Sequence, residues 1–329
     1  MSVELSAERR RAMLRSAMGP TIAAALARAD VAEIMVNPDG ALRLDVLGEG
    51  RIDTGVRMPA EQVERIVRLV ASHVRTEVHP GAPIVSAELP PHAEGKGERF
   101  EGVLPPVSCG PCFSIRKPAA QVHKLIDYVR AGTASPEAAR LLALAVVERR
   151  NILIAGGTSS GKTTLANALL AEMASLDERV ILIEDTRELQ CPAPDRVELR
   201  TRAGAVSMAD LVRSTLRLRP DRIVVGEVRG SEALDMLKAW NTGHPGGIAT
   251  LHANSAASAL TRIEQLVQEC VVTVPRPLIA EAVDLVVFIA GRGAGRRIAA
   301  LTRVDGLDRA GAYALTALPI ESSRNSEGE

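Results

Sequence analysis

Gly156-Gly157-Thr158-Ser159-Ser160-Gly161-Lys162-Thr163-Thr164 is the stretch that decides the reading of this chain. From Gly156 it fits G-x-x-x-x-G-K-[ST], and its flanks matter more than the pattern itself. The apolar run Asn151-Ile152-Leu153-Ile154-Ala155 predicts a buried strand before it, and the Leu/Ala pattern from Thr164 to Met173 predicts a helix after it. A strand that turns through glycines into a helix N-terminus aims backbone N–H groups and the positive end of the helix dipole at one point, which suits a polyphosphate. Lys162 is expected to reach the β- and γ-phosphates and the Thr163 hydroxyl to ligate Mg²⁺, with Gly157, Thr158, Ser159, Ser160, Gly161 and Thr164 completing the cradle. An ordinary glycine-rich turn would leave the ordered set of strand, loop, lysine and helix without a reason.

The chain has 329 residues, enough for two domains with separate cores. Forty basic and forty acidic residues give a net charge of zero, which argues against a partner bound by bulk electrostatics such as nucleic acid, although a local basic stripe remains open. No apolar run reaches the ~18 residues of a membrane span, and the Glu- and Arg-rich start lacks a signal-peptide core, so the expected compartment is the cytoplasm. Four cysteines are too few for a disulfide framework in a chain of this length. Cys109-Gly110-Pro111-Cys112 has the spacing of a thioredoxin-like redox pair, but that chemistry needs the first thiol at a helix N-terminus. Here Phe113-Ser114-Ile115-Arg116 reads as a strand and Pro118 forbids an early helix, so a loop is expected. One such pair also falls short of a zinc site.

The fold class read from the pattern is α/β, with a smaller α+β N-terminal domain. Leu14, Met18, Ile22 and Leu26 stand at helical spacing within Leu5 to Ala29, broken at Gly19-Pro20. The runs Ile34 to Val36 and Ala41 to Asp45 flank the turn-former Asn37-Pro38-Asp39-Gly40 and predict a hairpin. Pro59 opens a helix carrying Val63, Ile66, Val67, Val70 and Val74 on one face. Residues 80–97 read as an irregular loop, followed by strands at Arg99 to Leu104 and Cys112 to Arg116. The boundaries assigned are 1–117 for the N-terminal domain, 118–137 for a linker with a short helix, and 138–329 for the second domain, with 321–329 a disordered tail. In that second domain the runs at Val180 to Ile183, Ile223 to Gly226, Gly247 to Leu251 and Leu285 to Ala290 alternate with helical patterns, which implies a doubly wound parallel sheet. A closing antiparallel pair is expected over Arg297 to Val304 and Ala312 to Leu318.

Ligands of such sheets gather at the C-terminal strand ends. One strand ends in Glu184-Asp185, another in Gly226-Glu227, a third in Leu251-His252. A strand-end carboxylate beside a triphosphate can hold the metal through water or take a proton from the attacking water. Glu227 is assigned as base or metal-shell ligand with Glu184 and Asp185 completing the site, and the pattern leaves their roles exchangeable. Capping of a following helix is the structural alternative for Asp185. His252 suits a donor reporting the γ-phosphate, whereas His244 is equally well read as a satisfied core histidine. Arg99 and Arg116 read at this point as solvated strand residues.

The ordered set of phosphate loop, Ile183-Glu184-Asp185-Thr186-Arg187-Glu188-Leu189, Leu218 to Gly230 and the stretch from Gly243-His244 to His252 resembles the Walker A, Asp box, Walker B and His box of the secretion ATPase superfamily. Gly226 departs from the usual Walker B aspartate. Glu184-Asp185-Thr186-Arg187 and Gly243-His244-Pro245-Gly246 are more similar to type IV secretion and conjugal-transfer ATPases of the TrbB type than to pilus motors. The missing second C-x-x-C favours the same choice over type II secretion relatives. This resemblance implies a homohexameric ring of RecA-like P-loop NTPase C-terminal domains, with ATP and Mg²⁺ held at the hinge between the two domains. It implies inner-membrane partners in a secretion or conjugation machine and a peripheral position at the inner face of the cytoplasmic membrane, without sequence-specific nucleic-acid binding. It also turns Arg116, and with it Arg99, into expected nucleotide contacts, and makes Arg217, Arg219 and Arg229 candidates for action between subunits. Two rivals stand beside this reading: a nucleic-acid motor on the same core, disfavoured by 2% aromatic content, and an ATP-binding scaffold with little turnover. A small-molecule kinase or a GTPase is disfavoured, since no Asn-Lys-x-Asp motif is present.

Overall fold

The computed structural model describes residues 2–90, 97–118, 122–202 and 204–320. The chain divides into two compact units, Met1–Ala120 and Gln121–Glu329. The tail expected to be disordered, 321–329, lies outside the described residues.

The first unit runs α1 (Ser2–Ala27), β1 (Val31–Val36), β2 (Ala41–Val46), β3 (Gly50–Arg57), α2 (Ala60–His73), β4 (Ile84–Glu88), β5 (Arg99–Val103) and β6 (Cys112–Arg116). Its sheet has the order β3-β2-β1-β6-β5-β4, with every neighbouring pair antiparallel. Gly19, at φ 77°, interrupts α1 just before Pro20, whose missing N–H cannot continue the ladder. The hairpin turn closes with Gly40 at φ 76°, and the Asp39 carboxylate accepts from the Ala41 amide at 2.9 Å. Helix α2 buries Val63, Ile66, Val67 and Val70 against Ile34, Phe100 and Ile115 of the sheet and Ile22 of α1. Each such side chain contributes about 1.5–3 kcal/mol.

The second unit runs α3 (Leu125–Arg130), α4 (Pro136–Val147), β7 (Ile152–Gly156), α5 (Lys162–Ala171), β8 (Val180–Glu184), β9 (Arg196–Arg200), α6 (Met208–Thr215), β10 (Arg222–Val225), α7 (Glu232–Asn241), β11 (Ile248–His252), α8 (Ala256–Gln268), α9 (Arg276–Ala282), β12 (Leu285–Ala290), β13 (Arg297–Leu307) and β14 (Tyr313–Ala317). The sheet order is β14-β13-β12-β7-β11-β10-β8-β9. Strands β12 through β9 in that order are parallel, and β13 and β14 close one edge antiparallel. Strand β11 stands between β7, which precedes the phosphate loop, and β10, which carries the Walker B pattern; this is the RecA-like order. Because side chains alternate along each strand, Ile152 and Ile154 pack with α3, α4 and α5 on one face, while Leu153 and Ala155 pack with α6 to α9 on the other. Segment 122–137, read from sequence as linker, contains α3, and Leu125 and Tyr128 join the second core.

Strands β3, β4 and β9 have no counterpart among the sequence expectations, and all three are sheet edges. An edge strand buries little: β3 and β9 carry no fully buried residue, so the apolar signal is weak. Cys109 and Cys112 are free, with Cys109 in the loop and Cys112 opening β6. Burial, then the neighbouring Cys109, pushes the Cys112 thiol up, opposite to what a reactive pair requires.

Candidate nucleotide-binding site

The candidate residues meet at the C-terminal ends of adjacent strands because the parallel register puts them there. His252 at the end of β11 lies opposite Gly156 at the end of β7. Val225 of β10 pairs with Ala249 of β11 on one side and Ile183 of β8 on the other, so Glu227 and Glu184 reach the same edge.

Gly161 caps α5 at φ 95°, and Ser159 holds φ 61°, a left-handed conformation uncommon outside glycine. The Lys162 ammonium, buried, donates to the carbonyls of Gly156 at 3.1 Å and Gly157 at 3.0 Å. It also stands 3.4 Å from His252 Nδ1. His252 Nε2 lies 2.8 Å from Glu227 Oε1, and the Arg229 guanidinium donates to Glu227 Oε2. Lys162, His252, Glu227 and Arg229 thus form one continuous polar chain.

Burial, then the Lys162 charge, holds the His252 imidazole below its ordinary value, so the ring is neutral near pH 7. Facing an ammonium, Nδ1 serves as acceptor, which leaves the proton on Nε2, 2.8 Å from the Glu227 carboxylate. Burial pushes the Glu227 carboxyl up, but the Arg229 hydrogen bond and the charges of Arg229, His252 and Lys162 outweigh it and hold Glu227 below the usual glutamate value. A neutral imidazole therefore links an ammonium to a carboxylate.

Glu184 is buried at the end of β8, and its Oε1 accepts from the backbone amides of Glu188 at 2.8 Å and Leu189 at 2.7 Å. A side chain at Gly226 would meet Glu184 Cγ at 3.0 Å and Oε1 at 3.5 Å. The glycine at the usual Walker B aspartate position thus makes room for a carboxylate arriving from β8. Asp185 is more exposed: Thr201 Oγ1 donates to it at 2.8 Å, and an Arg229 nitrogen lies 3.9 Å away. Arg229 is the one of the three candidate intersubunit arginines that reaches this edge, whereas Arg217 and Arg219 precede β10 at the opposite end of the sheet.

His244 lies before the start of β11, away from the phosphate-loop edge, with Nδ1 3.2 Å from the Ala239 carbonyl. Gly246 and Gly247 beside it serve packing, since a side chain at Gly247 would sit 2.0 Å from Trp240 Nε1. Arg99 and Arg116 lie in the first unit as direct cross-strand partners on β5 and β6. Like charges placed directly opposite cost stability, so this pair is unexplained by sheet packing.

Sequence reasoning missed Asn167 and two arginines. Asn167 on α5 is buried; its Nδ2 donates to the Glu188 carbonyl at 3.1 Å and its Oδ1 accepts from the Gln190 amide at 2.8 Å. It ties the phosphate-loop helix to the turn behind Glu184. Arg292 and Arg296 contact the loop itself, at the Thr158 and Ser159 carbonyls.

Residues 53–291 match the family model of type II/IV secretion system proteins, well over half of the chain. The chain belongs to that family. It is accordingly an ATPase. Among its relatives, the conjugal transfer protein TrbB of Rhizobium radiobacter is 46% identical over 295 residues, covering 89% of this chain and 90% of the relative. The probable conjugal transfer protein TrbB of Sinorhizobium fredii is 47% identical over 294 residues, covering 89% of each. Among solved structures, the pilus retraction motor PilT with bound ADP superposes with a TM-score of 0.61 at 19% identity, covering 92% of this chain and 83% of that one, which shows the shared fold.

The residues fit a nucleotide. The buried Ser160 Oγ has no hydrogen-bond partner among the described residues, and Gly161 leaves open a left-handed turn at the N-terminus of α5. Among the described residues no cluster of three or more His, Cys, Asp or Glu is arranged around a metal. A cation bound here would rely on the Thr163 hydroxyl, phosphate oxygens and water, a ligand set that suits Mg²⁺.

Proposed function

We propose that this chain is the ATP-hydrolysing motor of a type IV secretion apparatus devoted to conjugal DNA transfer. It works as a homohexameric ring at the inner face of the cytoplasmic membrane, alongside the machine's membrane components. The observation that carries the reading is the chain from Lys162 through His252 to Glu227 across the ends of β7, β11 and β10. The near end-to-end similarity to TrbB proteins supports the conjugative assignment.

On this reading Lys162 leaves the Gly156 and Gly157 carbonyls for the β- and γ-phosphate oxygens of ATP. Thr163 and, through water, Asp185, Glu184 and Glu227 would hold Mg²⁺, which would supply neutralisation of phosphate charge. Glu227, ionised at neutral pH, orients the attacking water and takes its proton. His252 loses the Lys162 contact when the lysine turns to phosphate, so the end of β11 registers occupancy. Arg99 and Arg116 are candidate guanidinium partners for phosphate.

Phosphate release by the wild type, Lys162→Ala and Glu227→Gln tests this. Both variants should fall about 10²-fold or more below wild type. Equal near-zero rates in all three would make the chain a nucleotide-binding scaffold. Turnover that rises with single-stranded DNA and collapses with salt would indicate a nucleic-acid motor. Mass measurement of the particle with and without nucleotide tests the ring.

A further inference from the structure

The turn between β12 and β13 sends two arginines back onto the phosphate loop. Arg292 Nε donates to the Thr158 carbonyl at 3.1 Å, and Arg296 Nη2 reaches the Ser159 carbonyl at 3.5 Å. These are the carbonyls on either side of Ser159, the non-glycine residue held at φ 61°. The Arg296 guanidinium also lies across Gly161: a side chain there would meet its Nε at 2.8 Å and Cζ at 2.9 Å. Arg296 Nε is buried and has no acceptor among the described residues. Two residues further on, the Ile298 amide donates to the Thr133 carbonyl at 2.8 Å, which anchors the strap at its far end.

Inside the loop the arrangement is different. Gly157 O accepts from both the Lys162 ammonium and the Ser160 amide, at 3.0 and 3.3 Å. A polyphosphate that takes Lys162 must break the bonds from its ammonium to the Gly156 and Gly157 carbonyls. The outer carbonyls of Thr158 and Ser159 face the arginines and need not move. In a trans peptide the C=O and N–H point to opposite sides, so fixing the outer carbonyls also fixes the direction of the amides that follow them.

We propose that Arg292 and Arg296 are positioning residues for the nucleotide: together they grip the two carbonyls flanking Ser159 and hold the strained left-handed turn in which the loop receives a polyphosphate. The proposal rests on the nucleotide reading of the site. A residue held in the left-handed region persists only where its surroundings over-determine it. The two guanidinium groups supply that restraint from a segment more than a hundred residues away in sequence.

The test is the affinity for ADP with Mg²⁺, measured by calorimetry on the full chain, for wild type, Arg296→Gln, Arg292→Gln and Arg296→Gln combined with Ser159→Gly. Arg296→Gln is expected to bind about tenfold more weakly, and Arg292→Gln less so. Turnover at saturating ATP should stay within about twofold of wild type, because no group touching the reacting atoms changes. Glycine adopts the left-handed turn without strain, so Ser159→Gly should restore most of the affinity lost in Arg296→Gln. A melting temperature unchanged without nucleotide confirms that the variants are folded. Affinity within twofold of wild type in both single variants overturns the proposal, as does a loss that Ser159→Gly leaves uncorrected. If the wild type itself binds neither ADP nor ATP, the nucleotide reading fails instead.

Discussion

Replacing Asn167 by alanine tests how the phosphate-loop helix is coupled to the acidic strand end. Asn167 is 2% exposed and makes two hydrogen bonds, to the Glu188 carbonyl and from the Gln190 amide. A hydrogen bond of this kind contributes about 0.5–1.5 kcal/mol net, and stranding a buried polar group raises the loss to about 1–3 kcal/mol. Glu188 and Gln190 are only half-buried, so water recovers part of the penalty, and about 2–3 kcal/mol for the pair is the expected cost. The assay is built in: Trp240 is the only tryptophan, is 2% exposed and belongs to the second unit's core, so its fluorescence during urea unfolding reports on that unit. The denaturant slope should be unchanged while the midpoint falls. Turnover should fall about tenfold as well, because the loosened turn is the one whose amides hold Glu184. A stability change below about 0.5 kcal/mol would refute the claim that this side chain clamps the two segments.

Three further outcomes follow from the geometry. Gly247→Ala places a methyl group 2.0 Å from Trp240 Nε1 and 2.8 Å from the Ile223 carbonyl, so overpacking should cost about 3 kcal/mol or more in the same unfolding assay. For pH, the folded state holds His252 below its ordinary 6.5 by burial and the Lys162 charge, so it favours the neutral ring. The stability this gives is present above 6.5 and is lost as pH falls through the depressed folded value, and Glu227, also held low, adds a loss in the same direction at more acid pH. In the folded enzyme the ring charges only as pH falls through that depressed value, so turnover should decline there, and His252→Gln should flatten that limb of the profile. Arg116→Ala should raise the KM for ATP about tenfold while relieving the like-charge pairing with Arg99 on β5 and β6; an unchanged KM would return these arginines to the solvated surface.

What was legible in the sequence follows from the range of the interactions. The phosphate loop is a local object, strand to glycine turn to helix within a few residues, and it folds as its pattern says. Glu184, Glu227 and His252 were legible because each ends a strongly apolar strand, and parallel pairing brings strand ends together. Strands β3, β4 and β9 were not, since at a sheet edge half the ladder faces outward and polar residues are tolerated. Asn167, Arg292 and Arg296 escaped for another reason. Their partners are 21 to 137 residues away, and no periodicity in a single sequence encodes such a contact. In the Gly-His-Pro-Gly-Gly stretch, Gly246 and Gly247 pack against Arg222 and Trp240, and only the far end of the following strand, at His252, reaches Lys162.

The most direct test of the central claim is retention of labelled ATP with Mg²⁺ by the purified protein, followed by separation of bound ATP from bound ADP. Glu227→Gln should hold ATP uncleaved, the wild type should hold mostly ADP, and Lys162→Ala should hold neither. Rapid cleavage by Glu227→Gln, or undiminished ATP binding by Lys162→Ala, would contradict the assignment of the lysine to the phosphates and of the glutamate to the attacking water.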